Sequence, residues 1–193
     1  PPGLVMKRDG TPYTVFTPFS RAWLSLGPLS LDDLHPAPSR LPDPGDVVGL
    51  PIPGETAAGP NVLFPPGEAA ARHRLAQFLA ERAADYDDKR DRLDVAGTSR
   101  LSPYLRFGMV SARHAAVRAQ ESIESAPGDD AKKGAEVWLN EIVWREFYVH
   151  ILHNFPIVQN RSFRKERRNI DWLNDRSAFE AWCSGQTGYP IVD

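Results

Sequence analysis

One cysteine, Cys183, stands in a chain of 193 residues. That excludes an internal disulfide and a cysteine-rich zinc site, and it suits a reducing compartment. No run approaches the roughly 18 apolar residues that a membrane-spanning helix needs. An excess of either charge is also missing: 23 basic residues face 25 acidic ones, a net of −2. A protein that coats nucleic acid with uniform positive charge is therefore excluded, although a local basic patch is not. The five histidines, His35, His73, His114, His150 and His153, lack a metal-ligand spacing such as HExxH. No Ser/His/Asp or Cys/His arrangement emerges. The start, Pro1-Pro2-Gly3, carries no initiator methionine and no secretory pattern. The end, Gly188-Tyr189-Pro190-Ile191-Val192-Asp193, is an apolar run without a cap. Both ends are expected to be cuts within a longer protein.

What is present is ordinary globular material, 41% hydrophobic and 25% charged. Proline is unevenly spread. Fourteen of the 18 lie between Pro1 and Pro66, and only Pro103, Pro127, Pro156 and Pro190 follow. Proline fixes φ and removes a donor, so the first third is not mainly helix. After the turn signal Asp9-Gly10, Tyr13-Thr14-Val15-Phe16 reads as a strand. Residues 26–66 read as a long irregular linker, more natural between domains than inside one. From Glu68 to Arg92 the pattern is helical, with Leu75, Phe78, Leu79, Ala83 and Tyr86 on one face. Ser102 and Pro103 make a cap and first-turn pair, with Gly108 as the stop. Ser111 caps a helix over about 112–125, and Pro127-Gly128-Asp129-Asp130 breaks it. The longest helical pattern runs over 134–154. Asp175 caps a short helix through Cys183, ended by Gly185. The expected fold class is mainly α, behind a Pro-rich irregular linker.

Three constellations carry chemistry. Around Glu141, Trp138, Glu141, Trp144, Arg145 and Tyr148 share an arc of about 120°, while Leu139, Ile142, Val143, Phe147 and Ile151 cover much of the rest. A helix apolar on most sides is buried, and its charges need partners. Glu141 and Arg145 are four residues apart and suit each other. Two readings stand: a structural helix with a self-satisfied pair, or a wall of a ligand cavity with indoles as flat surfaces. Second, Gly97-Thr98-Ser99-Arg100-Leu101-Ser102 precedes a helix start. Its hydroxyls, guanidinium and backbone N–H groups suit a phosphate, or simply a capped loop. Third, residues 161–176 hold Arg161, Arg164, Lys165, Arg167, Arg168 and Arg176 against Glu166, Asp171 and Asp175. That segment is either a solvated face or a surface for a phosphate backbone.

Taken together, three blocks resemble the cryptochrome/photolyase family. They are Thr98-Ser99-Arg100-Leu101-Ser102-Pro103-Tyr104-Leu105-Arg106-Phe107-Gly108, then Trp138-Leu139-Asn140-Glu141-Ile142-Val143-Trp144-Arg145-Glu146-Phe147-Tyr148, then Ala181-Trp182 with residues 185–193. Residues 10–19 resemble the end of the family's N-terminal α/β, Rossmann-like antenna domain. The nearest resemblance is to bacterial members that repair cyclobutane pyrimidine dimers in UV-damaged DNA. The resemblance implies residues 1–25 as the end of the antenna domain and 26–66 as the linker. It implies 67–193 as the first half of a helical FAD-binding domain.

It also implies roles. Tyr86, Thr98, Ser99, Arg100, Leu101 and Ser102 contact FAD, mainly at its phosphates. Trp138, Glu141, Arg145 and Tyr148 line the flavin cavity. Arg90, Glu141, Trp144, Arg145 and Tyr148 face DNA, with Glu141 hydrogen-bonding the damaged pyrimidines and Trp144 stacking on them. Trp172 is the outermost of three electron-passing tryptophans. The parent protein carries an antenna chromophore, a reduced folate or a deazaflavin. Many relatives have a Cys-Lys pair near the folate, where this chain has Val158-Gln159-Asn160-Arg161. The remaining flavin contacts belong to sequence beyond Asp193, so the isolated segment is expected to be inactive. Its parent is read as a monomeric, cytoplasmic bacterial lyase, with no membrane and no metal. Alternatives of other classes are a cryptochrome-like photoreceptor, a (6-4) photoproduct photolyase, and a helical DNA-binding module using residues 161–176.

Overall fold

Glycine and proline decide where the helices begin and end. In the computed structural model, which describes residues 3–43, 45–51 and 63–193, the order is α1 (Phe16–Leu24), α2 (Glu68–Glu81), α3 (Tyr86–Lys89), α4 (Ser102–Arg106), α5 (Ala112–Glu124), α6 (Asp129–Asn154) and α7 (Arg176–Cys183). The chain divides into two units, Pro1–His153 and Asn154–Asp193. No helix among the described residues is long and apolar enough to cross a membrane.

The strand expected at Tyr13–Phe16 is not formed; Phe16 begins α1. Asp9 closes the preceding turn by accepting from the Thr11 N–H (2.9 Å) and hydroxyl (2.7 Å). Pairing stops at a single bridge between Met6 and Pro12. Pro18 falls in the first turn of α1, where N–H groups have no intrahelical partner and proline costs little. Phe16, Phe19, Ser20 and Trp23 then recur at helical spacing, and Phe19 and Ser20 are buried.

The helix expected over 68–92 is interrupted. After α2 the backbone turns at Arg82 (φ −137°) into a 3₁₀ turn, Ala83–Asp85, before α3. The break lies where α6 comes against it. A methyl group on Gly134 would collide with the Ala83 and Ala84 carbonyl oxygens and lie 2.6 Å from the Ala84 carbonyl carbon. Only backbones without intervening side chains meet so closely.

Ser102 is the first residue of α4 rather than its cap, a place taken by Leu101, whose side chain has nothing to donate or accept. Gly108, at φ +70°, ends the turn as expected. Ser111 does cap α5, accepting from the His114 N–H at 3.0 Å. Helix α6 starts five residues before Gly134, with Asp129 and Asp130 in its first turn, where carboxylates suit the helix dipole. Asp175 caps α7 by accepting from the Ser177 and Ala178 N–H groups. In the linker, Ser30 and Asp33 form a capping box on the turn Leu31–Asp33. Linker residues 44 and 52–62 lie outside the described residues.

Helix α6 is buried on two sides. Trp138, Leu139 and Ile142 join Leu75, Phe78, Tyr86, Leu101 and Tyr104 in one core. Val143 and Phe147 join Val5 and Phe19 in another. Each such side chain contributes about 1.5–3 kcal/mol on burial. His150, 2% exposed, lies 3.2 Å from the Tyr13 carbonyl. A carbonyl only accepts, so Nε2 carries the proton and donates.

Gly134→Ala is expected to destabilise the fold by about 3 kcal/mol, because neither carbonyl can retreat without moving a helix; urea unfolding measures it. A pH dependence follows from two imidazoles. Burial lowers the His150 pKa. Burial, with Arg72 and Arg118 adding to it, lowers that of His114. Unfolded, both titrate near 6.5, so in the interval below that value the unfolded chain binds more protons. Stability is complete above pH 6.5 and is lost as pH falls through the depressed folded values. The urea midpoint should drop as the pH is lowered below 6.5, and the variant carrying His114→Gln and His150→Gln should lose that slope.

Candidate functional site

The bend after α2 turns α3 toward α6. Tyr86, the first residue of α3, and Arg90, its C-cap, thereby come beside Trp138 and Glu141, which are one turn apart on α6. Tyr86 meets Phe78 edge-on, with ring centroids 5.7 Å apart, and Phe78 lies 5.1 Å from Trp138. Arg90 Nη1 donates to Glu141 Oε1 in an ion pair whose two side chains are each 35% exposed. The pairing of Glu141 with Arg145, expected from their spacing, is not formed. Arg90 reaches the carboxylate from a second element, whereas an i,i+4 pair contributes only a few tenths of a kcal/mol. Arg145 is exposed and makes no ion pair among the described residues.

The phenol of Tyr86 reports this arrangement. Burial raises its pKa, Glu141 raises it further and Arg90 opposes them. A neutral phenol, a carboxylate and a guanidinium thus lie together at the edge of the core. They present a donor, an acceptor and a second donor to a ligand.

The loop 97–101 is fastened to the same place. A methyl on Gly97 would lie 2.7 Å from the Lys89 carbonyl carbon and 2.8 Å from its Cβ, so the loop lies directly on the end of α3. Leu101 is buried as its anchor. Thr98, Arg100 and Ser102 are exposed, Ser99 is half-buried, and Arg100 takes φ +51°. None of these hydroxyls, nor the Arg100 guanidinium, is engaged by a side-chain hydrogen bond among the described residues. Hydroxyl and guanidinium donors on a loop beside an aromatic core suit the oxygens of a phosphate ester.

The stripe on α6 runs from core to surface. Trp138 is 2% exposed, Trp144 half-buried and Tyr148 63% exposed. Trp144 stacks on Phe16 of α1, with ring centroids 3.4 Å apart and planes 6° from parallel. Tyr148 is 5.8 Å from it at 25°. Phe16 escaped the sequence reading because Tyr-Thr-Val-Phe reads as a strand. The helical recurrence Phe16, Phe19, Ser20, Trp23 was the available signal.

In the second unit, Trp172 is 74% exposed and its carbonyl accepts from the Asn174 side-chain amide at 3.1 Å. Of the basic run, Arg168 donates to the Ser162 carbonyl and Arg176 pairs with Glu180.

Residues 138–193 match the family model described as the FAD binding domain of DNA photolyase. The whole chain aligns with the deoxyribodipyrimidine photo-lyases of Vibrio cholerae (38% identical), Synechococcus (35%) and Escherichia coli (36%). It covers 42%, 42% and 41% of their respective lengths. Over its whole length the chain is similar to DNA photolyases. The crystal structure of a bacterial class III photolyase from Agrobacterium tumefaciens matches the whole chain with a TM-score of 0.72 and 28% identity, over 40% of that protein. The chain thus spans about two fifths of the length of the photolyases it resembles.

Glu141→Gln removes a charge that raises the Tyr86 pKa. That phenol should titrate lower in the variant, measured by NMR of 13C-labelled tyrosine. Both partners are a third exposed, so the stability cost should be about 1 kcal/mol or less.

Proposed function

We propose that this chain contributes flavin-holding and lesion-binding side chains to an enzyme that uses light to repair cyclobutane pyrimidine dimers in DNA, with FAD as its cofactor. One observation carries the reading. The Tyr86–Arg90–Glu141 group and the donor loop 97–102 sit side by side in a chain that aligns end to end with deoxyribodipyrimidine photo-lyases. In this reading residues 1–25 close an antenna domain, 26–66 link, and 67–193 begin the helical domain.

The donor set fits FAD. Thr98, Ser99, Arg100 and Ser102 hold its phosphate oxygens, Leu101 anchors the loop, and Tyr86 and Trp138 lend apolar surface beside it. Bound and reduced, the flavin supplies the photoexcited electron that opens the dimer. The protein's own task is position. A dimer inside duplex DNA is out of reach, so it must be flipped out, as the photolyases do. Trp144 offers a flat surface for the flipped bases and Glu141 accepts from their polar edges. Arg90 balances that carboxylate and turns toward DNA, with Arg145 and Tyr148 at the rim. Trp172, exposed in the second unit, would be the outer member of a chain of tryptophans that pass electrons inward. An antenna chromophore, a reduced folate or a deazaflavin, belongs to the same proposal. So do a monomeric state and a cytoplasmic bacterial setting; the single cysteine and the bacterial relatives support the setting.

The test uses the protein that carries this chain, purified with its flavin reduced, on an oligonucleotide with one thymine dimer. Repair in light and none in darkness is expected. Trp144→Ala should weaken binding of the damaged strand by about 5- to 150-fold, the range for one lost base–aromatic stack. Bound flavin without light-dependent repair, or undiminished binding by both Trp144→Ala and Glu141→Ala, overturns the reading.

A further inference from the structure

We infer that Phe16 is a positioning residue for Trp144, holding the indole in the plane on which a flipped base stacks. The inference rests on the stacking role proposed above for Trp144. Three rings touch that indole, Tyr148 at 5.8 Å and 25° among them, and the other two meet it at right angles to each other. Phe16 lies against its face, 3.4 Å between centroids and 6° from parallel. Phe147 meets it edge-on at 5.9 Å and 79°. Phe147 also meets Phe16 edge-on, at 5.8 Å and 75°. Phe16, Phe147 and Trp144 form a corner in which the indole can neither tilt nor slide without losing a contact.

The corner has a rigid base. Phe147 is buried and packs on Phe19 at 5.3 Å. Phe19, three residues after Phe16 on α1, is 1% exposed. On the next position of α1 the Ser20 hydroxyl reaches Asn140 Oδ1 of α6 at 3.4 Å. Phe16 is thus a fixed plate, carried by a helix that is itself locked to α6.

Trp144 is half-buried, so part of the indole remains open for a ligand. An indole left free there would sample several rotamers, and binding a base would have to immobilise it. Phe16 removes that cost in advance. Its effect should appear in capture of the lesion and not in the light-driven step, since it lies behind Trp144 and touches neither base nor flavin in this reading.

Shape separates this role from simple core filling. Phe16→Leu keeps apolar volume but has no flat face; Phe16→Tyr keeps the face. In the flavin-loaded protein that carries this chain, Phe16→Leu should raise the half-saturating concentration of a thymine-dimer oligonucleotide by about 2- to 10-fold, the span expected for immobilising one side chain. The repair rate at saturation, the flavin content and the affinity for undamaged strand should stay unchanged. Phe16→Tyr should behave as the unaltered protein does. Adding Phe16→Leu to Trp144→Ala should cost nothing further, because the two act through one contact. If Phe16→Leu binds the lesion normally, or if Leu and Tyr lose affinity equally, the inference falls. If Trp144→Ala itself leaves lesion binding intact, the stacking role fails first and Phe16 has nothing to position.

Discussion

The contact of Gly134 with the carbonyl groups of Ala83 and Ala84 is the constraint from which the site follows. It lets α6 lie against the turn between α2 and α3 with no side chain between them. A continuous helix through Arg92 would leave Tyr86 and Arg90 on a face set by α2 alone. The break redirects both toward α6, where Glu141 supplies the charge that Arg90 needs. The same turn seats Lys89 under Gly97 and so places the donor loop beside the aromatic core. One missing methyl group therefore governs the meeting of three segments far apart in the chain.

Electrostatics then tunes what packing has assembled. The Arg90–Glu141 pair sits at the border of core and solvent, each partner a third exposed. Deep burial would make such a pair costly, and full exposure would make it negligible. At the border it holds two long side chains in place while leaving both partly open to solvent. Tyr86, next to both, stays neutral over a wide pH range because burial and Glu141 disfavour its phenolate.

Helix α6 does two jobs along its length. Its first half meets α2, α3 and α4 through Trp138, Leu139 and Ile142. Its second half meets α1 through Val143 and Phe147. The two tryptophans divide accordingly. Trp138 is a buried side chain that shapes the core, and Trp144 is a half-buried surface backed by Phe16. Six residues on one helix face thus separate a buried indole from a half-buried one.

Much of this was legible in the residues alone. The caps at Ser111 and Asp175, the stops at Gly108 and Gly185, and the long helix carrying Trp138 to Tyr148 are local chemistry, written in side chains that satisfy nearby backbone groups. The blocks around Thr98 and Glu141 pointed to the likeness to photolyases because residue type and spacing survive in sequence. Three features did not show themselves. Tyr13–Phe16 has strand-forming residues, yet Pro18 and the buried Phe19 favour a helix once α6 is there to cover it. The helix after Glu68 has a continuous apolar period, yet it breaks where another backbone needs the space. Glu141 has an obvious partner at Arg145, yet it pairs with Arg90, 51 positions away. Local propensity, capping and period are properties of short segments, and the sequence by itself determined those. Which carboxylate meets which guanidinium, and which ring backs Trp144, depends on elements distant in the chain, and only the tertiary structure could decide them.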